Sequence, residues 1–211
     1  MDYTAPFNYI FKDKNYLKKI GIFIFFNLLV VTSPICSGYI LEVIRRVREG
    51  SSEMPDFDGR YGDYFMDGLR FMVGLFILMI PILIVFVLGV IASAGALGSD
   101  SNAAAAAGVG AFIMFGLLCL FVLLCLCIAG MALSIVYSED DGWSAFTNLG
   151  RIMEIIKADT GSYFIAVVVC FCYSAVASIV GNFIPLAGPV ILMPLAQICA
   201  GHITGQYARN I

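Results

Sequence analysis

Charged residues are scarce in this chain. Asp, Glu, Lys and Arg make up 13% of its 211 residues, and histidine and tryptophan occur once each. A soluble domain carries about a quarter of its residues as charges, spread over a surface that is roughly 25–35% charged, so a water-soluble globule is excluded. The single histidine rules out a two-histidine zinc motif or a histidine pair relaying protons within one chain. A Walker-type phosphate loop, a Gly-x-Ser-x-Gly elbow and paired carboxylates inside an apolar tract are also missing. The chain is therefore expected not to be an enzyme, and to carry no cofactor and no metal. A net charge of -3 with no stripe of Lys and Arg argues against a nucleic-acid partner held through its phosphates.

Apolar residues are abundant, at 61% of the chain. Four tracts contain no Asp, Glu, Lys or Arg: Ile20 to Leu41, Phe71 to Ser99, Ser101 to Ser138 and Thr160 to Ala208. About 20 apolar residues carry a helix across a hydrocarbon core of about 30 Å. The first three tracts suit one membrane segment each and the fourth suits two. The fold class expected is all-α, a polytopic transmembrane helical bundle within a single integral membrane domain spanning residues 1–211. Its five hydrophobic helical segments cover residues 20–41, 71–91, 108–137, 162–181 and 190–207. Two amphipathic links, residues 42–70 and 139–161, join them at the cytoplasmic surface. The seven cysteines all lie inside the apolar tracts and read as small buried apolar side chains.

Residues 1–17 interleave Tyr3, Phe7, Tyr9, Phe11 and Tyr16 with Lys12 and Lys14, a mixture suited to the headgroup zone as an interfacial lead-in. Lys18-Lys19 before Ile20 imitates the start of a signal peptide, but no small-x-small cleavage site follows, so the segment is expected to stay in the mature chain. Ile40, Val43, Ile44 and Val47 recur at helical spacing, with Glu42–Arg46 and Arg45–Glu49 as i, i+4 pairs, which reads as a surface helix. Gly50-Ser51-Ser52 breaks it, and a turn-rich stretch of alternating acidic and aromatic residues follows. Ala92 to Ala107 reads as a small-residue linker. Ser144 to Lys157 reads as a second surface helix, with Phe146, Leu149, Met153 and Ile156 on one face. Asn182 to Pro189 reads as a tight turn. Tyr64–Met72 aligns without gaps on Ala145–Met153, with Phe, Arg and Met shared, a weak echo that chance in so hydrophobic a chain explains more readily than a duplicated unit.

Lys and Arg concentrate in residues 45–70, in 151–157 and at Arg209, which places those links in the cytoplasm of a cell whose cytoplasmic (inner) membrane holds the chain as a multi-pass protein. Lys12, Lys14, Lys18 and Lys19 put positive charge on the other flank of the first tract too. That tract therefore either crosses with its N-terminus outside, or bends near Pro34 and re-enters on the cytoplasmic side. The second form makes all the positive charges agree.

Two groups of residues are candidate sites. Asn27, Asn182, Gln197, His202 and Gln206 are polar groups inside the apolar tracts, where such groups face other helices or a cavity. His202 and Gln206 share a helical face beside Gly201 and Gly205, which suits either a polar lining or the wetted end of a helix. Glu42, Arg45, Arg46, Glu49, Asp67 and Arg70 form a candidate cytoplasmic docking surface, against the plainer reading of a solvated helix and loop. Beyond the lipid bilayer, the partners expected are a second copy of the chain or another membrane protein.

Taken together, Gly38-Tyr39-Ile-Leu-Glu-Val-Ile-Arg-Arg-Val-Arg-Glu-Gly50, Pro55-Asp-Phe-Asp, Tyr61-Gly-Asp-Tyr-Phe-Met-Asp-Gly-Leu69, Ile184-Pro-Leu-Ala-Gly-Pro189 and Gly205-Gln-Tyr-Ala-Arg209 resemble the prokaryotic membrane family DUF4013, from about Lys18 to Arg209. The resemblance implies a multi-pass protein of bacterial or archaeal cytoplasmic membranes and brings no activity or catalytic residues. Three functions remain open: a non-enzymatic scaffold or accessory subunit, a small transporter or channel working as a homo-oligomer, and a lipid sensor.

Overall fold

The computed structural model describes residues 1–97, 102–140, 142–183 and 187–211. The described residues form nine α-helices and one 3-10 turn, with no strand. They fall into two compact units: residues 1–73 with 131–211, and residues 74–130. Two of the helices, α4 (Tyr61–Leu97) and α5 (Asn102–Asp140), pass from one unit to the other.

Three described helices are long and apolar enough to cross a membrane, over Tyr61–Ala94, Ala106–Asp140 and Thr160–Phe183. The chain is a multi-pass membrane protein on this evidence, but five spans are not shown. The tract from Ile20 to Leu41 does not form one helix. It is divided between α2 (Tyr16–Leu28) and α3 (Ser33–Arg48) by the 3-10 turn Val30–Thr32. The Thr32 hydroxyl donates to the carbonyls of Phe26 at 2.7 Å and Leu29 at 2.9 Å, closing the bend just before Pro34. At 13 residues, α2 extends only about 20 Å. The last tract divides into α8 (Thr160–Phe183) and α9 (Ala187–Asn210), and α9 carries Pro194, Gln197, His202, Thr204 and Gln206 along its length.

In the first unit α3 is a central helix. Val43, Ile44 and Val47 are buried as their spacing requires, but so are Ile35, Cys36, Tyr39 and Leu41. It packs on α9, where Gly205 is needed: a Cβ there would stand 2.7 Å from the Val47 Cβ and 2.9 Å from the Ile44 carbonyl oxygen. It also crosses the start of α4 through Gly38 and Gly68, whose absent Cβ atoms would overlap the carbonyls of Tyr64 and Pro34. In α8 and α9, Gly181 and Gly188 approach at one end, and Tyr163 and Tyr207 meet at 5.4 Å at the other. The two helices therefore run antiparallel along each other. Lead-in residues also join this core, since Tyr9 and Ile10 of α1 (Ala5–Lys12) are buried.

The region after Trp143 differs from the sequence expectation. A break at Asn148 separates α6 (Ser144–Thr147) from α7 (Leu149–Ala158), and the Asn148 side chain accepts from the Arg151 amide at 3.0 Å as the N-cap of α7. The break shifts the helical phase. Ile152 and Ile155 are buried, whereas Leu149 and Met153, expected on the apolar face, are exposed. The same break sets the local structure of Ala145–Met153 apart from that of Tyr64–Met72, which lies inside the continuous α4.

The second unit consists of the apolar stretches of α4 and α5. Gly89 admits the Phe115 ring, which would lie 2.6 Å from a Cβ there. Met79, Leu83 and Phe86 of α4 and Gly116, Cys119 and Leu123 of α5 line an apolar groove of about 500 Å³. The expected linker from Ala92 to Ala107 is largely helical, since α4 continues to Leu97 and α5 begins at Asn102, as the strong helix preference of alanine favours. Its residues 98–101 lie outside the described residues, as do 184–186 of the expected tight turn. Of the cysteines, Cys36, Cys119 and Cys199 are buried, while Cys125, Cys127 and Cys172 are exposed on the apolar helices; helical periodicity alone does not say which face a neighbour covers.

Candidate functional site

The loop from Gly50 to Arg60 is irregular, so its carbonyls have no helical partners and must bond elsewhere if buried. Four consecutive ones are satisfied by side chains. The Tyr9 hydroxyl donates to the Glu53 carbonyl at 3.0 Å, Lys19 Nζ to Met54 at 2.7 Å, the Tyr39 hydroxyl to Pro55 at 3.2 Å, and the Tyr64 hydroxyl to Asp56 at 2.8 Å. Phe57 stacks on Tyr39 with ring centroids 4.4 Å apart and planes 3° from parallel. The loop is thus fastened to α1, α2, α3 and α4.

Lys19 is the centre of this arrangement. Its side chain is 7% exposed and lies 2.7 Å from the Asp13 carboxylate, itself 5% exposed, and 2.8 Å from Asp56. Asp13 also accepts from the backbone amides of Asn15 at 2.8 Å and Met54 at 3.1 Å. Burial alone pushes the Asp13 pKa up. The Lys19 hydrogen bond and charge and the two amides outweigh it and hold the carboxyl below its usual range. Composition gave no sign of this pair, because Lys19 reads there only as part of a basic flank.

A second network gathers on the polar side of α3. The Glu42 carboxylate is met by Arg60 at 2.8 Å, Arg46 at 3.3 Å and Arg45 at 3.4 Å. Burial raises its pKa, but the Arg60 hydrogen bond and charge, with those of Arg46 and Arg45, bring it below the ordinary glutamate value. Arg45 reaches Asp67 at 3.3 Å. Arg48 reaches Glu139 at 3.7 Å and the Ser138 hydroxyl at 3.5 Å, and Glu139 pairs in turn with Arg151 at 3.2 Å. The network ties α3 to the start of α4, the end of α5 and α7. Of the six candidate docking residues it brings together Glu42, Arg45, Arg46 and Asp67, whereas Glu49 and Arg70 remain exposed. Carboxylates held ionised in this way lend electrostatic support and are poor proton donors at neutral pH.

The candidate intramembrane residues divide similarly. Asn27 of α2 donates its amide to Gln197 of α9 at 2.9 Å, beside a cavity of about 270 Å³ that both Asn27 and Pro194 line. His202 Nδ1 and the Gln206 amide are 3.1 Å apart, and the His202 ring lies 4.6 Å from that of Tyr9. Gln206 also clasps the backbone of Asp2, accepting from its amide and donating to its carbonyl, both at 3.0 Å. Asn182 lies exposed near the end of α8, apart from the others. Beside His202 and Gln206 a third cavity opens, of about 550 Å³, bounded by α1, the start of the loop and the end of α9. Among the described residues no His, Cys, Asp and Glu side chains group as a metal site.

The stretch that carries the Glu42 network and the loop, from within α2 to the end of α8, also carries a family signature, while Tyr9, Asp13 and Lys19 precede it. Residues 21–186 match the model described as "Protein of unknown function (DUF4013)". The chain belongs to the DUF4013 family. No curated protein and no solved structure matches it. The DUF4013 match includes Glu42 with its three arginines and the pinned loop, and stops short of the α9 residues Gln197, His202 and Gln206.

Proposed function

We propose that the protein is a non-enzymatic scaffold or accessory subunit of the cytoplasmic membrane, with a rigid ion-paired face on the cytoplasmic side and apolar helices that engage a partner or a second copy within the bilayer. The observation that carries this reading is the commitment of the polar residues: the buried carboxylates Asp13 and Glu42 are neutralised by cations and fasten helices together. Such groups build a framework. Large apolar side chains, by contrast, stand outward on α4 and α5, among them Phe86, Leu120 and Leu124, and Gly110 and Gly116 have no heavy atom within 4 Å of where a Cβ would be, a surface that suits close helix association.

On this reading four helices cross and the first apolar tract re-enters. Since α9 runs back along α8, it crosses if α8 does. The α2–α3 hairpin lies against α9 from Gly205, beside Val47, to Val190, beside the cavity it shares with Leu28, a depth of about 22 Å at 1.5 Å per residue. Its tip exposes Leu28, Leu29 and Val31, as a lipid-facing tip would. All the lysines flanking α2 then stay on the cytoplasmic side.

The test is a photocrosslinker placed at position 86 or 120 in intact cells. Crosslinks to a second copy or to another membrane protein support the reading, and crosslinks to lipid alone refute it. A second reading, a transporter or channel, is favoured by one observation: Asn27 and Gln197 meet at a cavity at hairpin depth. Flux into liposomes that persists unchanged in Asn27→Ala and Gln197→Ala would remove it.

A further inference from the structure

Of the twelve Lys and Arg side chains, all in the first unit, seven have carboxylate partners: Lys18, Lys19, Arg45, Arg46, Arg48, Arg60 and Arg151. Lys12, Lys14, Arg70, Lys157 and Arg209 have none among the described residues. Of these five, only Lys12, in the last turn of α1, and Arg209, in the last turn of α9, line a common cavity, that of about 550 Å³. Its size is that of a small-ligand pocket.

The one carboxylate lining this cavity, Asp2, is hydrogen-bonded by neutral donors that keep it ionised. Asp2 accepts from the Thr4 amide at 2.9 Å, the Thr4 hydroxyl at 2.8 Å and the Ala5 amide at 3.2 Å, which turns it toward the start of α1. Three separate pieces of chain then converge. Asn8 lies one helical turn before Lys12, Arg209 comes from α9, and Ser51 and Ser52 come from the loop. The guanidinium of Arg209 lies over Gly50, whose φ is +88°. A Cβ there would stand 3.6 Å from the guanidinium carbon, an ordinary van der Waals contact, so it is the left-handed backbone, not space, that calls for glycine. The loop edge is itself held in place by the carbonyl bonds from Tyr9 and Lys19. The result is an open polar cup in which two cations without a carboxylate partner and several neutral donors outweigh the single charge of Asp2.

We propose that this cup binds a phosphate group. An arginine fork together with a lysine point charge suits a tetrahedral anion with several oxygens, and the serine hydroxyls and asparagine amide add donors. Such a group comes either from the headgroup of an anionic lipid or from a small phosphorylated solute. Unlike a diffuse basic patch, the site depends on particular residues.

The full chain in mild detergent is titrated with phosphatidylglycerol, with phosphatidylcholine and with inorganic phosphate, and bound species are counted by native mass spectrometry. Each charge is worth about fivefold, so Lys12→Gln with Arg209→Gln weakens binding of the anionic lipid about 25-fold. The charge-matched pair Lys14→Gln with Lys157→Gln leaves it unchanged. Ser52→Glu, which adds a second carboxylate beside Asp2 without removing a cation, weakens binding about fivefold and decides the matter should the double variant not fold. Saturable phosphatidylglycerol binding that phosphate does not displace assigns the site to a lipid; binding of phosphate itself, lost in the same variants, assigns it to a free solute. Equal losses in the two double variants, or no saturable binding of either anion, overturn the proposal.

Discussion

Replacing Lys19 by methionine should destabilise the first unit more than any other single charge removal in the chain. The substitution keeps most of the side chain's apolar stem and deletes only the ammonium. Asp13, at 5% side-chain exposure, then keeps two backbone donors and loses its counter-ion, and the Met54 carbonyl loses its 2.7 Å donor. Stranding one member of a buried pair costs about 3–5 kcal/mol. Asp56 contributes little to this sum because its side chain is 62% exposed. The comparison is Lys18→Met, which breaks a 3.0 Å pair with Asp58 whose side chains are 59% and 71% exposed; such pairs are worth about 0–1 kcal/mol. For a chain of this size each kcal/mol moves the melting temperature by about 2–4 °C, so thermal melts in detergent should fall by about 10 °C for Lys19→Met and by at most a few degrees for Lys18→Met. Adding Asp13→Asn to Lys19→Met should restore part of the loss, because it removes the stranded charge, although the neutral amide has a single oxygen and keeps only one of the Asn15 and Met54 amide bonds, which go to different oxygens of Asp13. Equal melting of the two single variants would refute the argument that burial makes the difference.

Three other outcomes follow from the same structure. Gly38→Ala should drive α3 away from α4 by its overlap with the Tyr64 carbonyl, at a cost of about 3 kcal/mol or more, whereas Gly62→Ala, in open space, should be harmless; limited proteolysis of the loop compares them. Because Asp13 and Glu42 have folded-state pKa values below their unfolded ones, the unfolded chain binds more protons between the two values. Their stabilisation is complete above about pH 5 and is lost as pH falls through the depressed values, so the melting temperature should drop below about pH 4, and a flat profile from pH 7 to 3 would contradict the ionised networks. A double-mutant cycle on Asn27→Ala and Gln197→Ala should return a coupling of about 0.6 kcal/mol, with an upper limit of about 1.7 kcal/mol. A coupling of zero would mean that the two amides do not share a bond in the membrane-embedded state.

Much of the architecture was legible because hydropathy and helix preference are local. The charge-free stretches that become α4, α5 and α8 can be read directly, and so can the apolar stripe of Val43, Ile44 and Val47. What misled was a purely local account of polar residues. Arg45 was expected to bond to Glu49 one turn on, but it turns to Asp67 of another helix, since a partly buried arginine gains more from a shielded carboxylate than from an exposed one. Phe146, Leu149, Met153 and Ile156 were placed on one face by counting through Asn148, yet that residue interrupts the helix and resets the count. The glycines at 201 and 205 were visible as a pair; that α3 already fills the space beside them was not.

The sequence by itself determined the solvent of this protein, its helical class and its family, because the transfer of a residue from water to lipid depends mainly on that residue and its near neighbours. Only the tertiary structure decided that the first apolar tract turns back at Val30–Thr32, that Lys19 and three tyrosines hold four successive carbonyls of one loop, and that Lys12 and Arg209 have no carboxylate partner among the described residues. Each of these depends on groups far apart in the chain meeting within about 3–4 Å, where a hydrogen bond or an ion pair is made or missed, and a distance of that kind is set by how helices pack.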